Sequence, residues 1–312
     1  MRSMRAAEIV GVGGIATDII LCTSSLPAAG RCVMAREAYQ GLGGKAANQA
    51  VAAARLGGSV ALVGAVGSDA AGDVALARLA AEHVSVASVV RSPAGTGTVV
   101  IQKSDGGEKQ TVVFPGANAC VNRDTIVAAA PLLTRASVVV VQFEIPLDTV
   151  LFVVETIRNS EARVIVDASP VRTLPRELLA AAAVIKANAM EATALTGIDV
   201  RDLASARAAA ARLLESGAAM IAIEAGGEGN LFFSRIEEVF LPLHDIHSID
   251  ATGAGDAMVG ALAVALAEGR QLRDAAIFAS AAAALATRAL GAQTAMPTRK
   301  ELEEWLAVRV DQ

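Results

Sequence analysis

A chain of 312 residues, 54% of them hydrophobic and 19% charged, has the apolar mass for a large core, and its 27 glycines and scarce aromatics fit an alanine-rich α/β enzyme better than a disordered or fibrous protein. A formal net charge of −5 gives no basic field, which argues against nucleic acid and anionic membrane as partners. No apolar run approaches the roughly 18 residues of a membrane span. The start, Met1–Val10, has Glu8 where an export signal would be apolar, and Cys22, Cys32 and Cys120 lack pairing or metal-ligand spacing, so a cytoplasmic enzyme with reduced thiols is expected.

Glu8–Val12 reads as a first strand running into Gly11-Val-Gly13-Gly-Ile-Ala16, which superficially fits a dinucleotide fingerprint. That fingerprint needs a helix next, whereas Thr17–Cys22 is extended and Pro27 follows, so the dinucleotide reading is rejected. Asp18, polar within an apolar run, could face a ligand. Next, Gln40-Gly-Leu-Gly-Gly-Lys45 opens a helix that Gly57-Gly58 ends. A P-loop fails here twice, at Tyr39 for the first glycine and at Ala46 for the Mg²⁺-binding hydroxyl. Gly43 and Gly44 still permit close backbone approach, and Lys45 and Asn48 share one helix face, an arrangement suited to a hydroxyl-rich ligand. A merely solvated helix start is the alternative.

Ser59–Val66 reads as a strand and Asp69–Ala81 as a helix. The runs Gly97–Lys103 and Lys109–Phe114 flank Ser104-Asp-Gly-Gly107, which predicts a hairpin projecting from a βα series, able to close over a ligand. Strands then alternate with helices: Ser137–Val141, Arg163–Asp167, Ala183–Lys186 and Met220–Glu224 with Leu147–Arg158, Pro175–Ala181, Met190–Leu195 and Asp202–Ser216. This alternation predicts a mostly parallel sheet covered by helices, with ligands bound beyond the carboxyl ends of its strands. Glu144, Asp167, Asn188, Glu191 and Glu224 all stand at such ends. His244 and His247 have no third ligand partner and are read as loop histidines.

Leu241, Leu243 and Ile246 form an apolar, strand-like approach to Asp250-Ala-Thr-Gly-Ala-Gly-Asp256, and an alanine-rich helix follows through Leu266. The glycines therefore stand at a helix N-terminus, where unpartnered N–H groups and the helix dipole favour an anion. Asp256 in the first turn suits an acceptor for a hydroxyl proton; simple complementation of the helix dipole is the alternative. A last helix begins with a capping box at Thr298 and Glu301 and is expected to bury Leu302, Trp305 and Leu306.

Two stretches, Gly43-Gly-Lys45-Ala-Ala-Asn48 through Gly57 and Asp250–Asp256, resemble the two signatures of the ribokinase (PfkB) family of carbohydrate kinases. Gly116-Ala-Asn118-Ala, Gln142-Phe-Glu144, Asn188-Ala-Met-Glu191 and Gly291-Ala-Gln293 match as well, so the resemblance runs nearly end to end. It implies a doubly wound α/β fold, a three-layer domain of mostly parallel sheet spanning residues 1–312, with a β-sheet lid from about 15–40 and 96–114 that pairs two subunits. It also implies transfer of the ATP γ-phosphoryl group to a sugar hydroxyl, first of all D-ribose to ribose 5-phosphate. The alternative acceptors are a nucleoside or another sugar. A non-catalytic sugar sensor is a further alternative, but it would not need Asp256, the glycines, Asn188 and Glu191 together.

By that resemblance Asp256 is the base, and Gly253, Ala254 and Gly255 form the anion hole. Asp18, Gly43, Gly44, Lys45, Asn48 and Glu144 contact the sugar; Asn188, Glu224, Gly226, Gly227, Gly229 and Gly255 contact the nucleotide. Asn188 and Glu191 place Mg²⁺ through water, and Asp250 and Thr252, with the backbone near Ala286, Gly291 and Ala295, hold a monovalent cation, usually K⁺. Three departures stand out: Ala16 where members commonly have an Asn that touches the sugar, Glu224 for a Thr, and one residue more between Arg288 and Gly291. They bear on which sugar is taken, and leave phosphoryl transfer as expected.

Overall fold

The computed structural model describes residues 8–310; the segment 1–7, most of the stretch weighed above against an export signal, lies outside the described residues. In chain order the strands and helices are β1 (Ile9–Val12), β2 (Ala16–Thr23), β3 (Glu37–Gly43), α1 (Lys45–Arg55), β4 (Val60–Gly67), α2 (Ala70–Ala81), β5 (Ser85–Ser92), β6 (Gly97–Ser104) and β7 (Lys109–Phe114). There follow α3 (Arg123–Leu133), β8 (Val138–Val141), α4 (Leu147–Ile157), β9 (Arg163–Asp167), α5 (Arg176–Ala181), β10 (Ala182–Ala187), α6 (Ala189–Thr196) and α7 (Leu203–Leu214). The chain closes with β11 (Met220–Glu224), β12 (Gly229–Ser234), β13 (Glu238–Pro242), α8 (Ala254–Ala267), α9 (Leu272–Leu285) and α10 (Arg299–Val310).

Nine strands form one sheet in the order β13-β12-β11-β10-β9-β8-β1-β4-β5, parallel from β5 to β11 and antiparallel only at β12 and β13. The chain builds outward from β1 to β4 and β5 on one side, then returns to add β8 and its successors on the other. That reversal is the switch point at which open α/β sheets leave a crevice for ligands. Both faces are buried because strand side chains alternate. Val138 and Val140 enter one apolar cluster with α1, α8 and α9, whereas Val139 and Val141 enter another with α3, α4 and α7.

A second sheet, β3-β2-β6-β7, takes the chain away from this core. The crossing is fixed by Asn118, which accepts from Ile15 N at 3.0 Å and donates to Ile15 O at 2.9 Å. The strand β2 starts where the rejected dinucleotide fingerprint would require a helix. Its partner β3 extends through Gly43, straight into α1.

Besides β3, whose glycines read as a loop, several elements carry no clear mark in the sequence. The edge strand β5 mixes serines with valines, α3 contains Pro131, β12 follows a glycine turn, and α9 is so alanine-rich and so buried that no polar face marks its period. The apolar approach to Asp250 is not strand-like throughout: β13 ends at Pro242, and Leu243 is exposed in an irregular stretch along a cleft. In α10, Leu302 is buried while Trp305 and Leu306 are only partly so, and His244 meets the Trp305 ring edge-on with centroids 4.7 Å apart. Among the described residues no helix is long and apolar enough to cross a membrane.

Candidate active site

A cleft of about 1210 Å³ opens between the carboxyl ends of the large sheet and the small sheet. Lys45, Glu144, Asn188, Glu191, Glu224 and the loop 251–256 line it. At its centre α1 and α8 meet. Gly44 precedes α1 with φ 86°, in the region that favours glycine, and a Cβ there would lie 2.6 Å from Gly14 O. The first helical residue then donates Lys45 N to Glu144 Oε2 at 2.7 Å.

One helical turn delivers three side chains to two carboxylates. Lys45 Nζ lies 3.0 Å from Asp167 Oδ2 and 3.4 Å from Asp256 Oδ1, and Gln49 Nε2 donates to those same oxygens at 2.8 and 3.0 Å. Asn48 Nδ2 donates to Asp256 Oδ2 at 2.9 Å and is itself oriented by Gln293 Nε2, 2.8 Å from Asn48 Oδ1. The two acids settle which way Gln49 points, at the expense of its buried Oε1, which has no partner among the described residues. Such an unmet acceptor costs about 1–3 kcal/mol, which the two donations from Nε2 to the carboxylates offset.

From the other side Lys186 Nζ reaches Asp167 Oδ1 at 3.2 Å and stands 3.9 Å from Glu191 Oε2. Lys186 also lies beneath the loop before α8, where a Cβ on Gly255 would come 2.7 Å from Nζ. The helix itself starts at Ala254 after Gly253, whose φ is 86° and which has no side chain to cap it. Its first N–H groups, the positive end of the helix dipole and Lys186 therefore converge beside Asp256.

Acid outnumbers base across this cluster, and the excess shows in two side chains. Asp18, on β2, is pushed up to about 7 by burial, then by Glu144 and Asp256, with Lys109 of β7 pulling the other way. Glu144 is likewise raised to about 7 by burial, against the opposing Lys45 N–H and ammonium. For Lys45 burial works against the charged form, but Asp167, Asp256 and Glu144 outweigh it and hold the ammonium well above its ordinary range. Burial also works against ionised Asp167, yet Lys186 and Lys45 keep its carboxyl below the usual value. A site of this kind receives hydroxyl donors well.

Of the residues singled out by sequence, Lys45, Asn48, Glu144 and Asp256 share this network, and Asp18 stands against Gly43, where any Cβ would overlap its carboxylate. Asn188 and Glu191 cap α6 reciprocally, Asn188 Oδ1 accepting Glu191 N and Glu191 Oε2 accepting Asn188 N, both at 2.8 Å. Of Glu224, Gly226, Gly227 and Gly229, only Glu224, the last residue of β11, lines the cleft. Gly226 has φ 59° and Gly227 φ 91°, Gly226 packs on the Arg201 backbone and Gly229 on Leu241, so these glycines shape the turn behind it. Asp250 accepts from Thr252 N at 3.0 Å, from Thr252 Oγ1 at 2.7 Å, from Gly291 N at 3.0 Å, and from the ammonium of Lys103. Burial would raise its pKa, but those partners, Lys103 first, hold it down at about 2.

In the sequence Asp167 reads only as a strand-end acid, and nothing in it marks Gln49 or Lys103 for the site. A lysine inside the apolar run Ala182–Ala187 is the one local signal that could have flagged Lys186.

A glycine-opened helix N-terminus beside a carboxylate, at the switch point of a doubly wound sheet, defines a phosphoryl-transfer site for a small hydroxylic acceptor. Residues 6–299 match the family model described as pfkB family carbohydrate kinase, and the chain belongs to that family. It is similar to the ribokinase of Mus musculus, 34% identical with 95% of this chain and 94% of the relative covered, and to that of Bacillus subtilis, 34% identical over 96% and 99%. Among solved structures, Arabidopsis thaliana ribokinase complexed with ribose and ATP superimposes with a TM-score of 0.87 at 28% identity, covering 97% of this chain and 99% of that one.

Proposed function

We propose that this ATP-dependent sugar kinase takes D-ribose as its acceptor, forming ribose 5-phosphate, and that Asp256 receives the proton of the attacking hydroxyl. The observation that carries the reading is the placement of Asp256. Asn48, Gln49 and Lys45 hold it in one orientation at the uncapped start of α8. A base already oriented contributes about a hundredfold to ten-thousandfold in rate, and one preorganised donor to a developing anion about 3 kcal/mol. Gly253, Ala254 and Gly255 supply those donors in this reading, with Lys186 adding charge from below. Asp18, Glu144, Lys45 and Asn48, with the close approach allowed at Gly43 and Gly44, orient the sugar. The similarity of two ribokinases along nearly their whole length supports ribose over other sugars.

The nucleotide lies along the cleft towards Glu224 and the turn Gly226–Gly229 in this reading. Mg²⁺ fits the oxygen donors of Asn188 and Glu191, because one carboxylate and one amide, both already engaged in capping α6, suit a cation that keeps most of its waters. Bound there, it would neutralise phosphate charge. The small sheet acts as a lid, and its edge strand β7 leaves Val112, Val113 and Phe114 exposed, a surface suited to pairing with a second copy. The three free cysteines accord with a cytoplasmic setting.

The test is ADP release from the purified protein with Mg-ATP, comparing ribose, deoxyribose, fructose and several nucleosides. Ribose is expected to give the highest kcat/KM. A higher value for a nucleoside or another sugar would move the acceptor and show that Ala16 alters the sugar subsite.

A further inference from the structure

The monovalent-cation site implied by the family resemblance is where these residues disagree with the expected group. Asp250 is 5% exposed, and its two oxygens already accept from Thr252 N, Thr252 Oγ1, Gly291 N and Lys103 Nζ. Oδ1 takes three of these donors, the Lys103 ammonium among them, and Oδ2 takes Gly291 N, so a cation already meets the charge that K⁺ would have to compete for.

Lys103 does not belong to the same part of the fold as its partner. It is carried by β6 of the small sheet, whereas Asp250 begins the loop that becomes the N-terminus of α8. A second residue of the small sheet reaches the same region. Tyr39 of β3 places its hydroxyl 3.1 Å from Thr294 Oγ1, and its ring would lie 2.7 Å from a Cβ on Gly291. The other charged groups near the pair are Lys109, directly across the ladder from Lys103, and Asp18, which lies close enough to Lys109 to feel its charge.

We propose that the Lys103 ammonium replaces the monovalent cation in this protein, neutralising Asp250 and thereby ordering the Asp250–Gly255 loop only when the small sheet lies closed on the body. The inference rests on the phosphotransfer reading for its effect on rate, but its structural half stands without it. Asp250 ties Thr252 on one side and Gly291 on the other, so its neutralisation sets how the backbone enters Gly253 and α8. The ammonium arrives with the sheet that would cover the sugar. Closure and ordering of the anion hole are therefore one event, and Lys103 is a positioning residue.

The test compares wild type, Lys103→Met and Lys103→Arg in K⁺ and in choline salts at equal ionic strength. Wild-type turnover is expected to differ by less than about twofold between the salts, since both screen equally. Lys103→Met is expected to lose tenfold to about a hundredfold in kcat in choline, the scale of a small misplacement at a reacting centre, and to recover much of it in K⁺. Lys103→Arg keeps the charge and should need no K⁺. Thermal midpoints give a readout that needs no substrate: K⁺ should raise that of Lys103→Met and leave wild type unmoved. Strong activation of wild type by K⁺ would overturn the proposal, as would a Lys103→Met variant that K⁺ neither reactivates nor stabilises. If Lys103→Met fails to fold, wild type and Lys103→Arg still decide, because K⁺-dependent turnover in either contradicts it. A protein without kinase activity but with the K⁺-specific thermal shift in Lys103→Met would sink the phosphotransfer reading and keep this one.

Discussion

Asp256 and Asp250 close the two ends of one glycine loop, and each is buried with both oxygens engaged, yet their partners come from different places. Asp256 is held by Lys45, Asn48 and Gln49, all from α1, a helix packed along its length against α8 in the body of the fold. Asp250 is held by its own loop, by Gly291 and by Lys103 of the small sheet. The first acid keeps its orientation whatever the small sheet does. The second has its charge met only while that sheet is in place. We infer that the body carries the proton chemistry permanently assembled, and that the lid supplies what depends on a captured sugar.

The strongest way to break that comparison is Asp256→Asn. We expect kcat to fall by about a hundredfold to ten-thousandfold with sugar affinity changed little, because the base is lost while the volume stays. The new amide would also turn a donor towards Asn48 Nδ2 or Gln49 Nε2, so a stability loss of about 1–3 kcal/mol should accompany it. Steady-state kinetics with a separate binding titration would check this, and an unchanged kcat would remove Asp256 from the proposed role.

Gly255→Val comes next. Its Cβ would approach Lys186 Nζ at 2.7 Å, and the branched side chain forces the ammonium away from Asp167 and away from the start of α8. Turnover should drop by about a hundredfold, the scale set by losing one donor to a developing anion. KM for ATP should rise more than KM for the sugar. The reverse pattern would place the phosphate elsewhere.

How much of this arrangement can be read from residues alone follows the same division. Asp250–Asp256 is legible because glycines and two acids stand together at a helix start, and Lys45 and Asn48 because three-residue spacing puts them on one face. The parallel core is legible from strands of unbroken valine, such as Val138–Val141. Long-range pairing has no such local mark. Asp167 is visible as a strand-end acid, but its bonds to Lys45 and Lys186 join three elements. Lys103 reads as one more residue of a hairpin, and its partner lies 147 residues further on. The irregular stretch after Pro242 reads as strand because apolar residues can line a cleft as readily as a core.

A smaller effect probes the sugar end of the body. Asp18 and Glu144 both stand near 7 in the free protein, whereas unfolded carboxyls titrate near 4. Between those values the folded state holds more protons than the unfolded chain, so stability should fall as pH rises from about 4 to about 8 and level off above. Asp18→Asn removes part of that slope. The variant should melt higher than wild type at pH 8 while binding the sugar more weakly, about tenfold to a hundredfold for one lost hydrogen bond to a charged acceptor. A wild-type melting temperature that climbs through this pH range would contradict the assignment.

The smallest expected effect sharpens the lid side of the comparison. Val112 lies on β7, the edge of the small sheet, and is 68% exposed beside Val113 and Phe114. If a second copy covers that edge, Val112→Lys should yield monomers by light scattering, since a charge on an edge strand opposes pairing. Monomer stability should change by less than about 0.5 kcal/mol, as for other exposed substitutions. Because Asp256 takes no support from the small sheet while Asp250 does, kcat should fall by no more than is expected of Lys103→Met, while KM for the sugar should rise as the lid loses its backing. A variant that stays dimeric would move the interface away from β7; one that is monomeric and loses far more kcat than Lys103→Met would mean that Asp256 too depends on the lid, and the contrast between the two aspartates would fail.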